Sequence, residues 1–327
     1  MHKDLYNRIF SIDSDSDFNT LALEIFRYQY ENNPVYNEYV SILGRPVEKI
    51  NNIRDIPFLP IDFFRTKKVL TGSDNVQAVF MSSGTTGQEH SKHYVSDIQL
   101  YKKSFRKCFE YYYGDIKDYC ILALLPSYME QKNSSLVFMM DDLIKNSGHP
   151  DSSFYLHDTG SLVDKIREPE GKKQKTILFG VSFALLDLAE AHDPELHDAI
   201  VMETGGMKGR RKEMTRKELH GILKKGFGVS EIHSEYGMTE LLSQAYSKGN
   251  GIFYTPPWMK VFIRDIYDPF SRVENGKTGG INVIDLANIN SCSFIETMDL
   301  GSIASDGGFE VLGRYDNSII RGCNQMI

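Results

Sequence analysis

From Val76 to Glu203 the chain alternates short apolar runs with longer amphipathic stretches, and this alternation constrains the fold more than any other feature. Val76–Met81, Tyr119–Leu125, Ser153–His157, Thr176–Val181 and Ala199–Glu203 read as strands. Ser96–Tyr113, Ser134–Lys145 and Phe183–His192 read as helices between them. Strands and helices in alternation predict an α/β architecture with a mainly parallel sheet and flanking helices. Ser96 with Gln99, and Thr215 with Glu218, have the spacing of capping boxes, and Ser134 is expected to cap the helix that follows it. Ile98, Tyr101, Phe105, Cys108, Phe109 and Tyr112 share one face of the first helix, which places Cys108 in the core.

Outside this region the texture differs. The first 45 or so residues read as helical, with Leu21, Leu23, Phe26 and Tyr30 at mixed three-to-four spacing and a break near Asn33-Pro34. In IPFLPIDFF, Pro57 and Pro60 forbid a regular helix, so a buried extended segment is expected. Beyond about Tyr254, short strands (Met259–Asp265, Gly280–Ile284, Phe294–Met298, Phe309–Leu312) punctuated by Gly and Asp predict a small antiparallel β unit at the C-terminal end. The division expected is a helical N-terminal flank over 1–50 and one large domain over 51–327, β-rich from about 254.

With 327 residues, 41% hydrophobic, the chain can bury a sizeable core as one large domain or two modest ones. A net charge of −7 leaves no basic footprint, and the Lys/Arg clusters at 172–175 and 208–212 read as solvated loops, so no nucleic-acid partner is expected. No apolar run approaches the ~18 residues of a membrane span and the N-terminus lacks a signal-peptide core, so a cytoplasmic location is expected. Four cysteines (Cys108, Cys120, Cys292, Cys323) without a CxxC pair argue against a disulfide scaffold or a zinc site. Cys120 and Cys292 read as structural.

Three segments carry chemistry. Ser82-Ser83-Gly84-Thr85-Thr86-Gly87 follows a strand and precedes Lys92. Small residues let backbone N–H groups approach phosphate oxygens, while hydroxyls and a lysine add donors and charge. The pattern is not the Walker loop, and a Ser/Thr/Gly turn is often only a turn. In Tyr236-Gly237-Met238-Thr239-Glu240, which follows His233-Ser234-Glu235, a flat aromatic can stack on a purine and a carboxylate can hold Mg²⁺ beside a triphosphate. A turn with a solvated Glu240 is the plainer reading. In the third, Asp299-Leu300-Gly301, Asp306-Gly307 and Gly313-Arg314-Tyr315-Asp316, Asp299 suits a ribose diol and Arg314 a ribose or phosphate, although Asp-Gly and Gly-Arg are also common hairpin chemistry. His90, His93 and His233 lie near these segments, where a packed or solvated role is the commoner outcome.

In order and spacing, SSGTTG, YGMTE and the D-L-G … G-R-x-D series resemble the signatures of the adenylate-forming superfamily of acyl- and aryl-CoA ligases, luciferases and peptide-synthetase adenylation domains. The resemblance spans roughly residues 55 to 327. It implies the fold of that superfamily's N-terminal domain, ATP and Mg²⁺ as cofactors, and a carboxylic acid as substrate. It implies that Ser82 to Gly87, with Lys92 nearby, hold the β- and γ-phosphates. Tyr236, Gly237, Thr239 and Glu240 match the nucleotide turn, Glu240 being the Mg²⁺ ligand; Thr204-Gly205-Gly206 matches the glycine segment along the adenine, Asp299 the ribose aspartate and Arg314 the hinge arginine. The sequence runs thirteen residues past Arg314, so no counterpart of the superfamily's C-terminal lid domain, with its adenylation lysine, is expected in it.

A narrower resemblance is to LuxE-type acyl-protein synthetases, carried by IPFLPIDFF, LLPSYMEQKNSSLVFM and the terminal RGCNQMI. It implies transfer of the acyl group to a cysteine near the C-terminus, which matches Cys323, and delivery to an acyl-CoA reductase-like or carrier-protein partner. Arg321, two residues away, would favour the Cys323 thiolate. Two alternatives stand beside this reading: a compact ligase that passes the acyl group to CoA or another acceptor, and a non-catalytic nucleotide-binding subunit.

Overall fold

The computed structural model describes residues 2–315 apart from 73, 83–88, 128, 168–174, 193–195, 197–198, 208–210, 213 and 275. The N-terminal third forms α1 (His2–Ile9), α2 (Asp15–Asn32), α3 (Pro34–Ile42), β1 (Leu59–Pro60), α4 (Phe63–Thr66), β2 (Ala78–Met81), β3 (Lys92–Val95) and α5 (Ile98–Tyr113). There follow β4 (Tyr119–Leu124), α6 (Ser135–Ser147), β5 (Ser153–Phe154), α7 (Thr159–Arg167), β6 (Lys175–Val181), α8 (Ser182–His192), β7 (Ile200–Thr204), α9 (Arg216–Phe227), β8 (His233–Tyr236) and β9 (Ala245–Ser247). The last described part is mainly strand: β10 (Ile252–Phe253), β11 (Met259–Arg264), β12 (Gly279–Asp285), β13 (Phe294–Ile303) and β14 (Phe309–Arg314), with a 3-10 turn at Leu286–Asn288. Two compact units emerge, one from residues 1–77, 93–96 and 254 onward, the other from 78–92 and 97–253.

The second unit is the α/β body. Its sheet runs β5-β4-β6-β7-β8-β9, parallel as far as β8, with β9 antiparallel at the edge. Every residue of β4 is buried, as expected of a parallel strand covered on both faces. Phe109 of α5 and Met139, Met140 and Leu143 of α6 face Ile121, Ile177, Phe179 and Met202 of the sheet. Close packing elsewhere in the unit depends on glycine: a Cβ on Gly226 of α9 would come within 2.7 Å of the Ala189 Cβ of α8. Thr215 caps α9 in a complete capping box with Glu218, and Ser134 caps α6 by accepting from the Val137 N–H, both as the spacing predicts.

The first unit is built on the antiparallel run β11-β12-β13-β14, with β1 parallel to β13. The N-terminal helices pack onto it: Phe26 and Tyr36 lie against Phe294 with ring centroids 6.1 and 6.0 Å away. Gln29 is fully buried; its amide donates to the Ile289 carbonyl at 2.9 Å and accepts from the Ser293 N–H at 2.9 Å. Asn33 serves two helices, its N–H closing α2 on Gln29 and its side chain accepting from Val35 and Tyr36 at the start of α3.

Local differences from the sequence reading have identifiable causes. Asp97, not Ser96, caps α5, because its extended backbone (φ −133, ψ 97) aims the carboxylate at the N–H groups of Gln99 and Leu100. The strand expected over Ser153–His157 shortens to two residues. Conversely β13 runs five residues past Met298, its bulge at Leu300/Gly301 letting it pass a glycine that reads as a turn. Among the described residues no helix is long and apolar enough to cross a membrane.

Candidate active site

Three of the singled-out segments converge on one edge of the α/β body. Gly205-Gly206 follows β7 directly and Gly237–Glu240 follows β8, so both lie at the carboxyl ends of adjacent parallel strands. The stem of the Ser/Thr/Gly loop joins them: the Met81 N–H donates to the Asn133 carbonyl at 2.8 Å, and Asn133 sits in the connection between β4 and α6. Carboxyl edges of parallel sheets are where open α/β folds bind ligands, because loops and helix starts gather there.

The stem itself is firmly paired. The Ser82 N–H donates to the Ser91 carbonyl at 3.1 Å, the Ser91 N–H donates to the Ser82 hydroxyl at 3.0 Å, and the His90 ring lies 2.6 Å from the Ser82 carbonyl. Lys92 is exposed at the start of β3. Ser83, Gly84, Thr85, Thr86 and Gly87 lie outside the described residues, as do Arg321 and Cys323.

At the other segments, Gly205 takes a left-handed conformation (φ +69), where a side chain would be strained, and Gly205 and Gly206 are both exposed. Tyr236 is buried edge-on to Phe253, with centroids 5.9 Å apart, while Gly237 is exposed, Thr239 half-buried and Glu240 buried. Among the described residues no group of three His, Cys, Asp or Glu side chains could hold a metal by itself.

Asp299 and Arg314 belong to the other unit, opposite each other on β13 and β14, and the Arg314 guanidinium donates to the Asp299 carboxylate at 2.9 Å. Asp299 is buried whereas the Arg314 side chain is 72% exposed, so the pair presents one charge inward and one to solvent. Behind them lies Arg264, a buried arginine that sequence reasoning missed. It donates to the Ile281 and Thr297 carbonyls at 3.0 and 2.8 Å and to the Tyr315 hydroxyl beside Arg314. A Cβ on Gly280 would fall 2.4 Å from its guanidinium carbon, so that glycine makes room for the arginine.

A second omission lies directly beneath the nucleotide-type segments. Glu203 and Glu235 are buried on the adjacent strands β7 and β8. Burial raises the Glu203 carboxyl, but His220 at 3.5 Å and Arg216 at 3.3 Å outweigh it and leave Glu203 below the usual carboxylate range. Ser182 divides its proton between Glu203, at 3.1 Å, and the Gly205 carbonyl, at 3.0 Å. Among the described residues no cation faces Glu235: burial, only partly offset by the bond it accepts from the Thr204 hydroxyl, and increased by Glu203, pushes it up to about 7. The signal was present in the sequence, since a glutamate ending the apolar run Ala199–Glu203 has to be buried with the strand.

Two of the singled-out histidines are packed against neighbouring side chains. His93 is buried against Phe64 and lies 3.1 Å from the Asn288 amide oxygen. His233 lies 3.0 Å from the Tyr113 hydroxyl, and burial, with Lys248 nearby, lowers it to about 4. Cys108, Cys120 and Cys292 are buried and form no disulfide, and burial pushes Cys292 up to about 12.

Comparison with known proteins agrees with this geometry. No family model matches the chain. It is 22% identical over 323 residues to a long-chain-fatty-acid–luciferin-component ligase of Vibrio harveyi, covering 91% of this chain and 84% of that protein. The protein of the same name from Photorhabdus luminescens is 34% identical over 68 residues, 20% of this chain and 58% of that one. Among solved structures, an open conformation of 2-hydroxyisobutyryl-CoA ligase, in complex with 2-HIB-AMP and CoA, matches 93% of this chain and 76% of its own, with TM-score 0.64 and 11% identity. ATP-bound MatB from Rhodopseudomonas palustris matches 74% of this chain at TM-score 0.54 and 18% identity; there this chain spans about half, 49%, of the neighbour.

Proposed function

Because this chain has the fold of the adenylate-forming ligases, we propose that it activates a carboxylic acid with ATP. The observation that carries the reading is the meeting of Gly205-Gly206, the Tyr236–Glu240 turn and the Ser82 stem at one carboxyl edge of the α/β body. The substrate carboxylate oxygen attacks the α-phosphorus of ATP, the α–β anhydride bond breaks, and pyrophosphate leaves with the electron pair. Ser82 to Gly87 and Lys92 are assigned to the β- and γ-phosphates, Gly205, Gly206, Tyr236, Gly237 and Thr239 to the adenosine, and Asp299 and Arg314 to the ribose side.

Glu240 is assigned to Mg²⁺. A single buried glutamate ligand, with no three-ligand protein cage among the described residues, suits an ion that takes its remaining ligands from phosphates and water. When bound, the ion supplies charge neutralisation at the triphosphate.

The similarity to a long-chain-fatty-acid–luciferin-component ligase over 91% of the chain supports a fatty acid as substrate, and the acceptor assigned is the C-terminal Cys323. In that second step the Cys323 thiolate attacks the acyl carbon, a thioester forms and AMP leaves. The acyl group then passes to a reductase-like or carrier-protein partner. The structural match to a CoA ligase favours a second acceptor, CoA. Radiolabelled acid with ATP tests the choice: label retained on the wild-type protein after denaturation, but not on Cys323→Ser, supports the cysteine, and label appearing only in CoA supports the alternative.

A further inference from the structure

The mechanism above makes no use of Glu235, a buried carboxyl that meets both nucleotide-type segments, at Thr204 and at Gly237. We propose that Glu235 is a positioning residue: seated beneath Gly237 and bonded to Thr204, it fixes the Gly205-Gly206 segment to the Tyr236–Glu240 turn.

Three features of the geometry support this. First, Thr204 and Glu235 are register partners on β7 and β8, the last paired residues before both strands give way to the site segments. The Thr204 hydroxyl donates to Glu235 Oε2, so a side-chain bond continues the ladder where backbone pairing stops. Second, a Cβ on Gly237 would lie 2.5 Å from Glu235 Oε1. Gly237 has no positive φ that would call for glycine. Its missing side chain is therefore the space the carboxyl occupies, which ties Glu235 to the turn by shape as well as to β7 by hydrogen bond. Third, the opposite face of β7 is held separately, through Glu203, Ser182 and the Gly205 carbonyl. Glu235 spans from β7 to the turn after β8.

The described groups that face Glu235 include no counter-charge. Glu203 on β7 is the nearest charge and is taken up by Arg216 and His220 of α9. From β9 the partner is Tyr246, fully buried, with Cys108, Tyr112 and Tyr113 of α5 around it. From the following loop comes Gln244, 3.5 Å from the Gly237 Cβ position. An ionised Glu235 has no cation in this set, so the neutral carboxyl is the form that holds the two segments together.

The assignment of the segments to nucleotide rests on the proposed adenylation; the coupling between them does not. Hydrogen exchange of peptides spanning 203–207 and 235–240, followed from pH 5.5 to 8.5, tests the coupling without any ligand. In the wild type both peptides should lose protection together as pH rises through about 7. Glu235→Gln, which keeps shape and neutrality, should abolish that pH dependence. Thr204→Val should release both peptides at every pH, and Thr204→Ser should restore them. Binding of a fluorescent ATP analogue should track the same variants, weakening at least tenfold in Thr204→Val and recovering in Thr204→Ser. If Glu235→Gln titrates like the wild type, or Thr204→Val frees one peptide and not the other, the proposal is overturned. If exchange behaves as expected but the analogue never binds, the coupling stands and the nucleotide reading falls.

Discussion

At the scale of single residues, the buried carboxyl of Glu235 ties stability to pH in an unusual direction. Its folded value of about 7 lies above the ordinary 4.5, so between those values the folded chain holds a proton that the unfolded chain has released. The stability associated with that proton is full below 4.5 and is lost as pH rises through about 7, a difference of about 3 kcal/mol. Most buried carboxylates, being paired, give the opposite slope. Glu235→Gln removes the effect, so denaturant unfolding at successive pH values should show the variant gaining on the wild type from pH 4.5 to 7 and holding its lead above that. A constant difference across pH would contradict the assignment. The glycine above it makes a steric prediction: Gly237→Ala sets a methyl 2.5 Å from Glu235 Oε1 and should cost about 1–3 kcal/mol in the same assay.

At the scale of elements, the helix starts are the most exposed to test. Thr215→Ala removes the hydroxyl that caps α9 and leaves the Glu218 N–H without it, a loss of about 1 kcal/mol read from the denaturant midpoint. Asn33→Ala should cost more, because one amide side chain caps α3 and also donates to the Ser291 carbonyl of the β unit at 2.8 Å. These elements also mark what the sequence made legible. Hydrophobic periodicity located the alternating strands and helices of the α/β body, because strands buried on both faces are forced to be apolar. Capping chemistry was read correctly at Ser134 and Thr215 but not at Ser96, where the adjacent Asp97 has the backbone conformation that a cap requires. Strand ends were misjudged at glycine, since Gly301 reads as a turn yet continues β13. Buried polar groups were harder to read: Arg264 and Glu235 look like surface residues until the pairing of strands places them inside, and Glu203 is marked only by ending an apolar run. Their partners are distant in sequence, and only register brings them together.

At the scale of the whole molecule, the placement of the singled-out residues divides between the two units. The α/β body carries the stem of the Ser/Thr/Gly loop, the glycine segment and the Tyr236–Glu240 turn, and the β unit carries Asp299 and Arg314. Each unit has its own buried polar support, Glu203 with Glu235 in one and Arg264 in the other. If both sets serve one reaction, substitutions in either should act on the same half-reaction. Asp299→Ala should therefore weaken adenylation at least tenfold in kcat/KM for ATP, and Cys323→Ser should leave it intact while abolishing label transfer to protein. The central claim is tested most directly by ATP–pyrophosphate exchange with the purified protein and Mg²⁺ across a panel of fatty, aryl and hydroxy acids. The account predicts exchange that depends on added acid, is strongest with fatty acids, and is lost in Glu240→Ala; ATP binding with no exchange for any acid would contradict it.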